Sequence, residues 1–468
     1  MYKVPDKYFF RLHHARPRFK GAIENVLLYF ASVCAKLDEL PVADYAEKLN
    51  DAIRLFPGNE SSVDKTINNW RTEIAALFGF YIEDKENDIT KTGELSYFLD
   101  NTQDLVQFFK YYLFQFQYPG GHLKQDKIKE MIEAGIKFKP ANYILKLLES
   151  ADEIIGKPLG ITKAEATHCI FNDLRVTRDH RDVKEVIELV ISNRNKKIEY
   201  DTTGDVIRYA GDILDYMLQA NLLYEAHGYY YLNRQEMEAI LVFTTDINYF
   251  TGYDSFYKKT FTTQDITATE PEWFEYVNSN LSPDMFKTDI TSFITEEEET
   301  TKERYSISID EKVSEILDGT GTTKDIGDLG ETLIIGHEKV RLVKLGREDL
   351  IHLIKKIPTA LGVGYDIQSV ESDQRKRYIE VKTTVSYKPL KFFNFHMTPN
   401  EWDTATTLND RYFVYRLMIN KKEKVIYILQ DPVMLYKTNK ITMSPRNGVE
   451  ISFPESSSEK TELLIWKN

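Results

Sequence analysis

The stretch GYDIQSVESDQRKRYIEVKT, Gly364–Thr383, constrains the fold more than any other part of this 468-residue chain. Two short apolar runs flank a charged turn, and each run carries charge where a fully buried strand would hold only Val, Ile or Leu. In RYIEVK the side chains alternate, so Ile379 and Val381 point to one face and Glu380 and Lys382 to the other. With a rise of roughly 3.3 Å per residue, the acid and the lysine stand about 7 Å apart along the strand. The turn ESDQRK makes YDIQSV the antiparallel neighbour, which can set Asp366 beside Glu380 while the rest of YDIQSV fills a core. Two carboxylates converging at a sheet edge are costly to bury unless a cation joins them. Oxygen ligands with room for water suit Mg²⁺. Such an ion polarises phosphoryl oxygens, and a neighbouring lysine can orient or deprotonate water and offset charge at phosphorus. Water attack on a phosphodiester needs this set. A lone Glu-x-Lys is more often a surface ion pair. Asp366, the turn length, Gly362, Gly364 and an upstream glutamate together favour a site.

The flanking sequence supplies a scaffold. DLGETLIIGHEKVRLVKLGRED reads as a helix whose Glu331 and Glu338, seven apart, lie on nearly the same face. The strands YDIQSV, RYIEVKTT and KFFNFHM follow, then a helix opened by the capping pair Thr398 and Glu401, then the strands RYFVYRLM and KVIYILQD. That order predicts an α/β domain over 325–468, with helices against a mixed sheet. Several nearby residues invite plainer readings. Glu401 belongs to the capping box, His396 is a strand residue, and Arg375, Lys376 and Arg377 either touch phosphates or form a solvated turn. The tyrosines of YFVYR are good strand formers as well as stacking surfaces.

The first 240 residues are mainly helical in pattern. Twice a helix runs into a small hairpin: VDKTINNWRTEIAALFGF into GFYIEDKENDITKT, and GDVIRYAGDILDYMLQANLL into LLYEAHGYYYLN. A helix followed directly by a hairpin is the second half of a winged helix, and Thr162 and Glu165 cap a helix upstream of the second pair. Such modules seat one helix in the major groove of duplex DNA. Lys65, Arg71 and Arg208 are the candidate contacts, and helical core elements without DNA are the plainer alternative. The expected organisation is a helical recognition region with a first winged helix (1–135), a second winged-helix module (136–243), a connector (244–324) and the α/β domain (325–468).

Charge does not exclude a nucleic-acid partner. The net −13 is unevenly spread, with about +3 over 325–468 and about −16 over the remainder. Local basic clusters such as RLHHARPRFK and RVTRDHRDVK bind phosphates even on an acidic protein. The Gly/Thr-rich GTGTTK lacks phosphate-loop spacing and reads as linker. Cys34 and Cys169 are too few for a four-cysteine zinc site, and His168 beside Cys169 reads as two helix side chains. No long apolar run or signal-like N-terminus is present, so the expectation is a cytoplasmic protein without a membrane partner.

Asp366 followed by Glu380-Val381-Lys382 resembles the signature of the PD-(D/E)xK nuclease superfamily. More narrowly, Gly330-Glu331 with Glu338, GVGYDIQS, YIEVKTT, the Pro399-Asn400-Glu401 of the next helix and RYFVYRL look like the NO VEIN-type C-terminal domain over roughly 325–435. Tyr365 stands where the signature has proline. KTINNWRTEIAALFGFYIEDK and LLYEAHGYYYLN resemble the recognition regions of AlwI-type restriction endonucleases. The resemblance implies a restriction-endonuclease-like fold, metal ligands Asp366 and Glu380, catalytic Lys382, and a helix glutamate at Glu331 or Glu338. It also implies a Mg²⁺-dependent restriction-type endodeoxyribonuclease that cuts double-stranded DNA and leaves 5′-phosphates and 3′-hydroxyls; with one site per chain, cutting both strands needs a homodimer or two visits. The rivals are a modification-dependent nuclease, an inactive winged-helix regulator and a nuclease acting on RNA.

Overall fold

The computed structural model describes residues 1–13, 23–56, 59, 61–203, 206–279, 282, 285–286, 326–357, 363–391, 393–445 and 447–465. It divides into two compact units, Met1–Asn101 with Leu105–Phe286, and Thr102–Asp104 with Lys287–Asn468.

Both expected helix–hairpin pairs form in the first unit. Helix Asp64–Trp70, continued by a wider turn at Arg71–Ala75, leads to strands Tyr81–Asp84 and Ile89–Thr92, which pair antiparallel. Helix Arg208–Gln219 leads to strands Leu223–Ala226 and Tyr229–Leu232, which turn at His227 and Gly228 with both φ positive. The two pairs share one aromatic core, in which Phe78 meets Phe80 and Phe108 on one side and Tyr216 on the other. Helix Leu105–Gln115 passes through this core with every residue buried. Its Lys110 is tolerated there because Glu236 lies 2.7 Å away, both side chains being buried. His168 and Cys169 lie in a helical turn, His168 Nε2 bonding the Asp201 carbonyl at 2.9 Å while Cys169 is a buried free thiol.

The expected connector needs correction. Residues 244–279 cluster with the first unit and carry helices Thr263–Ala268 and Glu270–Val277. Trp273 and Phe274 are buried there, so this polar-looking stretch buys its place with two aromatic anchors. The runs 296–303 and 317–325 lie outside the described residues. Among the described residues no helix is long and apolar enough to cross a membrane.

The second unit is built on a six-stranded mixed sheet. Its order is Glu459–Glu462, Lys424–Gln430, Tyr412–Ile419, Lys376–Val385, Ile367–Val370, Lys355–Lys356. Only the pairing of Lys376–Val385 with Tyr412–Ile419 is parallel. KFFNFHM does not join this sheet as expected. Its strand, Phe395–Met397, pairs with Val449–Ser452 in a separate three-stranded sheet, because a short apolar run does not specify its distant partner. Thr102–Asp104 belongs to this unit too: Asp104 bridges to Val385, and Gln103 Oε1 accepts the Thr384 hydroxyl at 2.8 Å and the Arg416 guanidinium.

Helix Ile326–Lys344 covers one face of the sheet. A Cβ on Gly330 would stand 1.8 Å from Thr383 Oγ1, so the glycine sets how closely helix and strand approach. Further along, the buried His337 accepts the Leu464 N–H through Nδ1 at 3.0 Å. Burial pushes its imidazole down from 6.5 to about 4. The unfolded chain therefore takes up a proton between those values and the folded chain does not, so stability falls as pH drops through that window. The loss amounts to about 3 kcal/mol at most. Melting temperatures measured from pH 7 to pH 4 are expected to fall more steeply in wild type than in His337→Gln. Parallel curves would remove His337 as the cause.

Candidate active site

The hairpin within Gly364–Thr383 folds in the expected register. Ile367 pairs with Ile379 and Val370 with Lys376, and Ile367, Ser369 and Val370 are buried. Asp366 donates its N–H to the Ile379 carbonyl at 2.9 Å, the last bond of the ladder. Just beyond, where the strand can no longer pair, Asp366 Oδ2 accepts the Val381 N–H at 2.8 Å. The carboxylate thus takes over from the missing strand and is held beside Glu380.

Three further groups complete the cluster. Lys382 Nζ lies 2.8 Å from Glu380 Oε1 and 2.9 Å from Glu401 Oε2. Glu380 is 5% exposed, Glu401 15% and Lys382 21%. Burial raises the Glu380 carboxyl above its ordinary range, opposed by Lys382 and reinforced by Asp366. Burial likewise raises Asp366, against the Val381 N–H and Lys382. Lys382 is drawn down by burial, but Glu380 and Glu401 more than offset this and keep it charged. Burial is the largest cause of both raised carboxyls.

Glu401 was the residue the sequence discounted. It does close the capping box, its N–H donating to Thr398 Oγ1 at 3.3 Å and its Oε2 accepting the Thr398 N–H at 3.1 Å. The same Oε2 also reaches Lys382. Helix Pro399–Leu408 is fixed to the strand entry by Thr404, whose hydroxyl donates to the Val363 carbonyl at 3.1 Å. Gly364 makes room for this contact. Its φ is +77°, and an added Cβ would sit 2.3 Å from Thr404 Oγ1 and 2.8 Å from the Asn400 carbonyl. Gly364→Ala is expected to cost about 1–3 kcal/mol in urea unfolding and to displace Asp366. An unchanged midpoint would show that this loop is not held by the helix. Gly362 lies outside the described residues.

The helix glutamates are placed elsewhere. Glu338 is fully buried against the opposite face of the sheet, with Ser369 Oγ 2.7 Å, Tyr415 OH 2.8 Å and Arg341 Nη2 2.7 Å from its carboxylate. Ser369, Arg377 and Tyr415 alternate with Gln368, Glu380 and Val414, so the sheet separates Glu338 from the Glu380 side. Its expected place in the site is corrected accordingly. Glu331 faces the sheet edge and pairs with Lys356 at 3.0 Å. Arg377 is also corrected as a DNA contact: it is buried, 3.1 Å from Glu371 and 3.5 Å from Glu338, over the Phe413 ring. Arg375 is exposed and pairs with Asp410 at 3.0 Å. In the first unit Lys65 and Arg208 are exposed, and Arg71 is half-buried with its Nε on Asn50 Oδ1 at 3.2 Å. His396 is a strand residue opposite Glu450.

Among the described residues no group of three or more His, Cys, Asp or Glu is arranged to cage a metal ion. Asp366 and Glu380 are hard oxygen donors that would suit a divalent cation such as Mg²⁺.

Comparison with known proteins sets the chain in a class. Residues 2–274 match the family described as restriction endonuclease BpuJI, N terminal, and residues 330–429 match the family described as protein NO VEIN, C-terminal. The first match spans more than half of the chain, which therefore belongs to the BpuJI N-terminal restriction endonuclease family. The restriction-enzyme likeness expected of the N-terminal half thus holds, with BpuJI rather than AlwI as its reference. A crystal structure of pyrene- and phenanthrene-modified DNA in complex with the BpuJ1 endonuclease binding domain is similar at 25% identity and a TM-score of 0.51. The likeness covers 59% of this chain and all of that one. No curated protein matches.

Proposed function

We propose that this chain is a Mg²⁺-dependent, sequence-specific DNA endonuclease of restriction type, with recognition in the first unit and cleavage in the second. The observation that carries the reading is the cluster of Asp366, Glu380 and Lys382 on one face of a mixed sheet, with both carboxyls raised by burial. Asp366 and Glu380 would hold the cation, which supplies Lewis-acid charge at the scissile phosphoryl group. Lys382 holds the attacking water in line with phosphorus and offsets the charge that builds there. Cleavage then leaves a 5′-phosphate and a 3′-hydroxyl. The family membership and the DNA-bound neighbour support duplex DNA as the partner of the first unit. Its two helix–hairpin pairs serve as winged helices, with Lys65, Arg71 and Arg208 as phosphate contacts. One site per chain cuts one strand at a time, so a double-strand break calls for two copies or two visits. The biological role that fits is defence against foreign DNA.

The test is digestion of several genomic DNAs in Mg²⁺, modified and unmodified, with sequencing of the ends. A single recurrent sequence at a fixed distance from the ends is expected. Cuts scattered without a common sequence would remove specificity, and cutting confined to modified DNA would make the enzyme modification-dependent.

A further inference from the structure

Lys382 has two anionic partners, and only one of them is a candidate metal ligand. Its ammonium lies 2.8 Å from Glu380 Oε1 and 2.9 Å from Glu401 Oε2. Glu380 Oε1 is an oxygen that a cation at the Asp366–Glu380 pair would require. Lysine and a divalent ion cannot both sit tightly on it, because like charges repel strongly where water is sparse. An ammonium displaced inside a buried cluster needs another anion within reach, or it is left uncompensated.

Glu401 meets that need, and its position is independent of Glu380. Pro399 opens its helix, the Thr398 capping box fixes its backbone and carboxylate together, and Thr404 ties the helix to the strand entry. The oxygen that reaches Lys382 is the one that accepts the Thr398 N–H, so it is already aimed at the ammonium. We propose that Glu401 is a positioning residue: it shares Lys382 with Glu380 and takes the ammonium over when a divalent cation engages Glu380. The cation thereby finds Glu380 available, and Lys382 stays one pleat from the metal pair instead of swinging away. This inference rests on the metal-dependent reading of the same cluster.

The experiment measures Mn²⁺ binding to the full chain without DNA, following the signal of free Mn²⁺ by electron paramagnetic resonance. Glu401→Gln keeps the capping box, since glutamine serves at that position, but removes the charge that competes for Lys382. It is expected to bind Mn²⁺ about tenfold more weakly than wild type, whereas in a Lys382→Met background the same substitution costs less than about threefold. Thr398→Ala, which removes the capping hydroxyl but keeps the charge and the backbone N–H that holds the Glu401 carboxylate, is expected to bind as wild type does. Equal losses from Glu401→Gln in both backgrounds, or no loss in either, would overturn the hand-over, as would an equal loss from Thr398→Ala. Failure of the underlying reading looks different: wild type and Asp366→Ala would bind Mn²⁺ alike, or neither would bind it, and the hand-over would fall with it.

Discussion

Lys382→Met is expected to slow DNA cleavage by about 10²–10⁴-fold, the range found when a positioned proton-transfer or charge-stabilising group is removed. Methionine fills much of the same volume, and the apolar floor under the cluster, Ile367 and Ile379, is not disturbed. The variant loses the charge that now lies between Glu380 and Glu401. Glu380 can respond by taking up a proton, because burial already raises its carboxyl, so the fold is retained. Lys382→Arg is expected to fail as well, since a planar guanidinium cannot repeat the two short contacts of an ammonium in so closed a pocket. Single-turnover cleavage of a plasmid, alongside a thermal melt and a DNA-binding titration, separates the possibilities. A rate within threefold of wild type would reduce Lys382 to an ordinary ion-pair partner.

Glu338→Ala is expected to do the reverse and lower stability by about 3–5 kcal/mol, the usual result of removing one partner from a buried ionic group. Its carboxylate is shared by Arg341, Arg377, Ser369 and Tyr415, and alanine leaves two guanidinium groups and two hydroxyls without it. Burial alone would raise this carboxyl, but Arg377 and Arg341 more than offset that and hold it below its ordinary value. A depressed folded value means the contribution is complete above about pH 4.5 and is lost as pH falls through the folded value. Urea unfolding of the wild type should therefore weaken on acidification, and that part of the slope should vanish in Glu338→Gln. Asp366→Asn, by contrast, is expected to shift the midpoint little, because it removes a charge that burial already disfavours and keeps an oxygen for the Val381 N–H. If Glu338→Ala melts like wild type but no longer cuts, Glu338 belongs with the catalytic groups and not with the structural ones.

The contrast between these acids marks where the sequence stops being informative. The shared face of Asp366, Glu380 and Lys382 was legible because strand alternation has a period of two and a short turn forces the register of its neighbours. Helical spacing put Glu331 and Glu338 on one face, but no periodicity says which side of a sheet that helix covers. The answer came from Gly330 against Thr383 and from Ser369 and Tyr415 around Glu338. Arg377 followed the same rule unread: it is odd-numbered like Ile379, so alternation already placed it away from Glu380. Glu401 matched a capping box so well that its second role was hidden, since one oxygen serves both the helix and Lys382. Gln103 left no signal at all. It is a neutral residue 313 positions from the buried Arg416 whose guanidinium it accepts. Helices 263–268 and 270–277 were missed because their lengths are short and acidic residues dilute the pattern.

Cleavage of one plasmid by wild type and by Asp366→Asn, side by side in Mg²⁺ and in EDTA, bears most directly on the second unit. Asparagine keeps the size of the side chain and an oxygen for the Val381 N–H, so the hairpin survives while a charged ligand is lost. Cutting by wild type in Mg²⁺ alone, with none by the variant, is the expected result. Equal cutting by the two proteins, or cutting by wild type in EDTA, would contradict a metal site at Asp366 and Glu380.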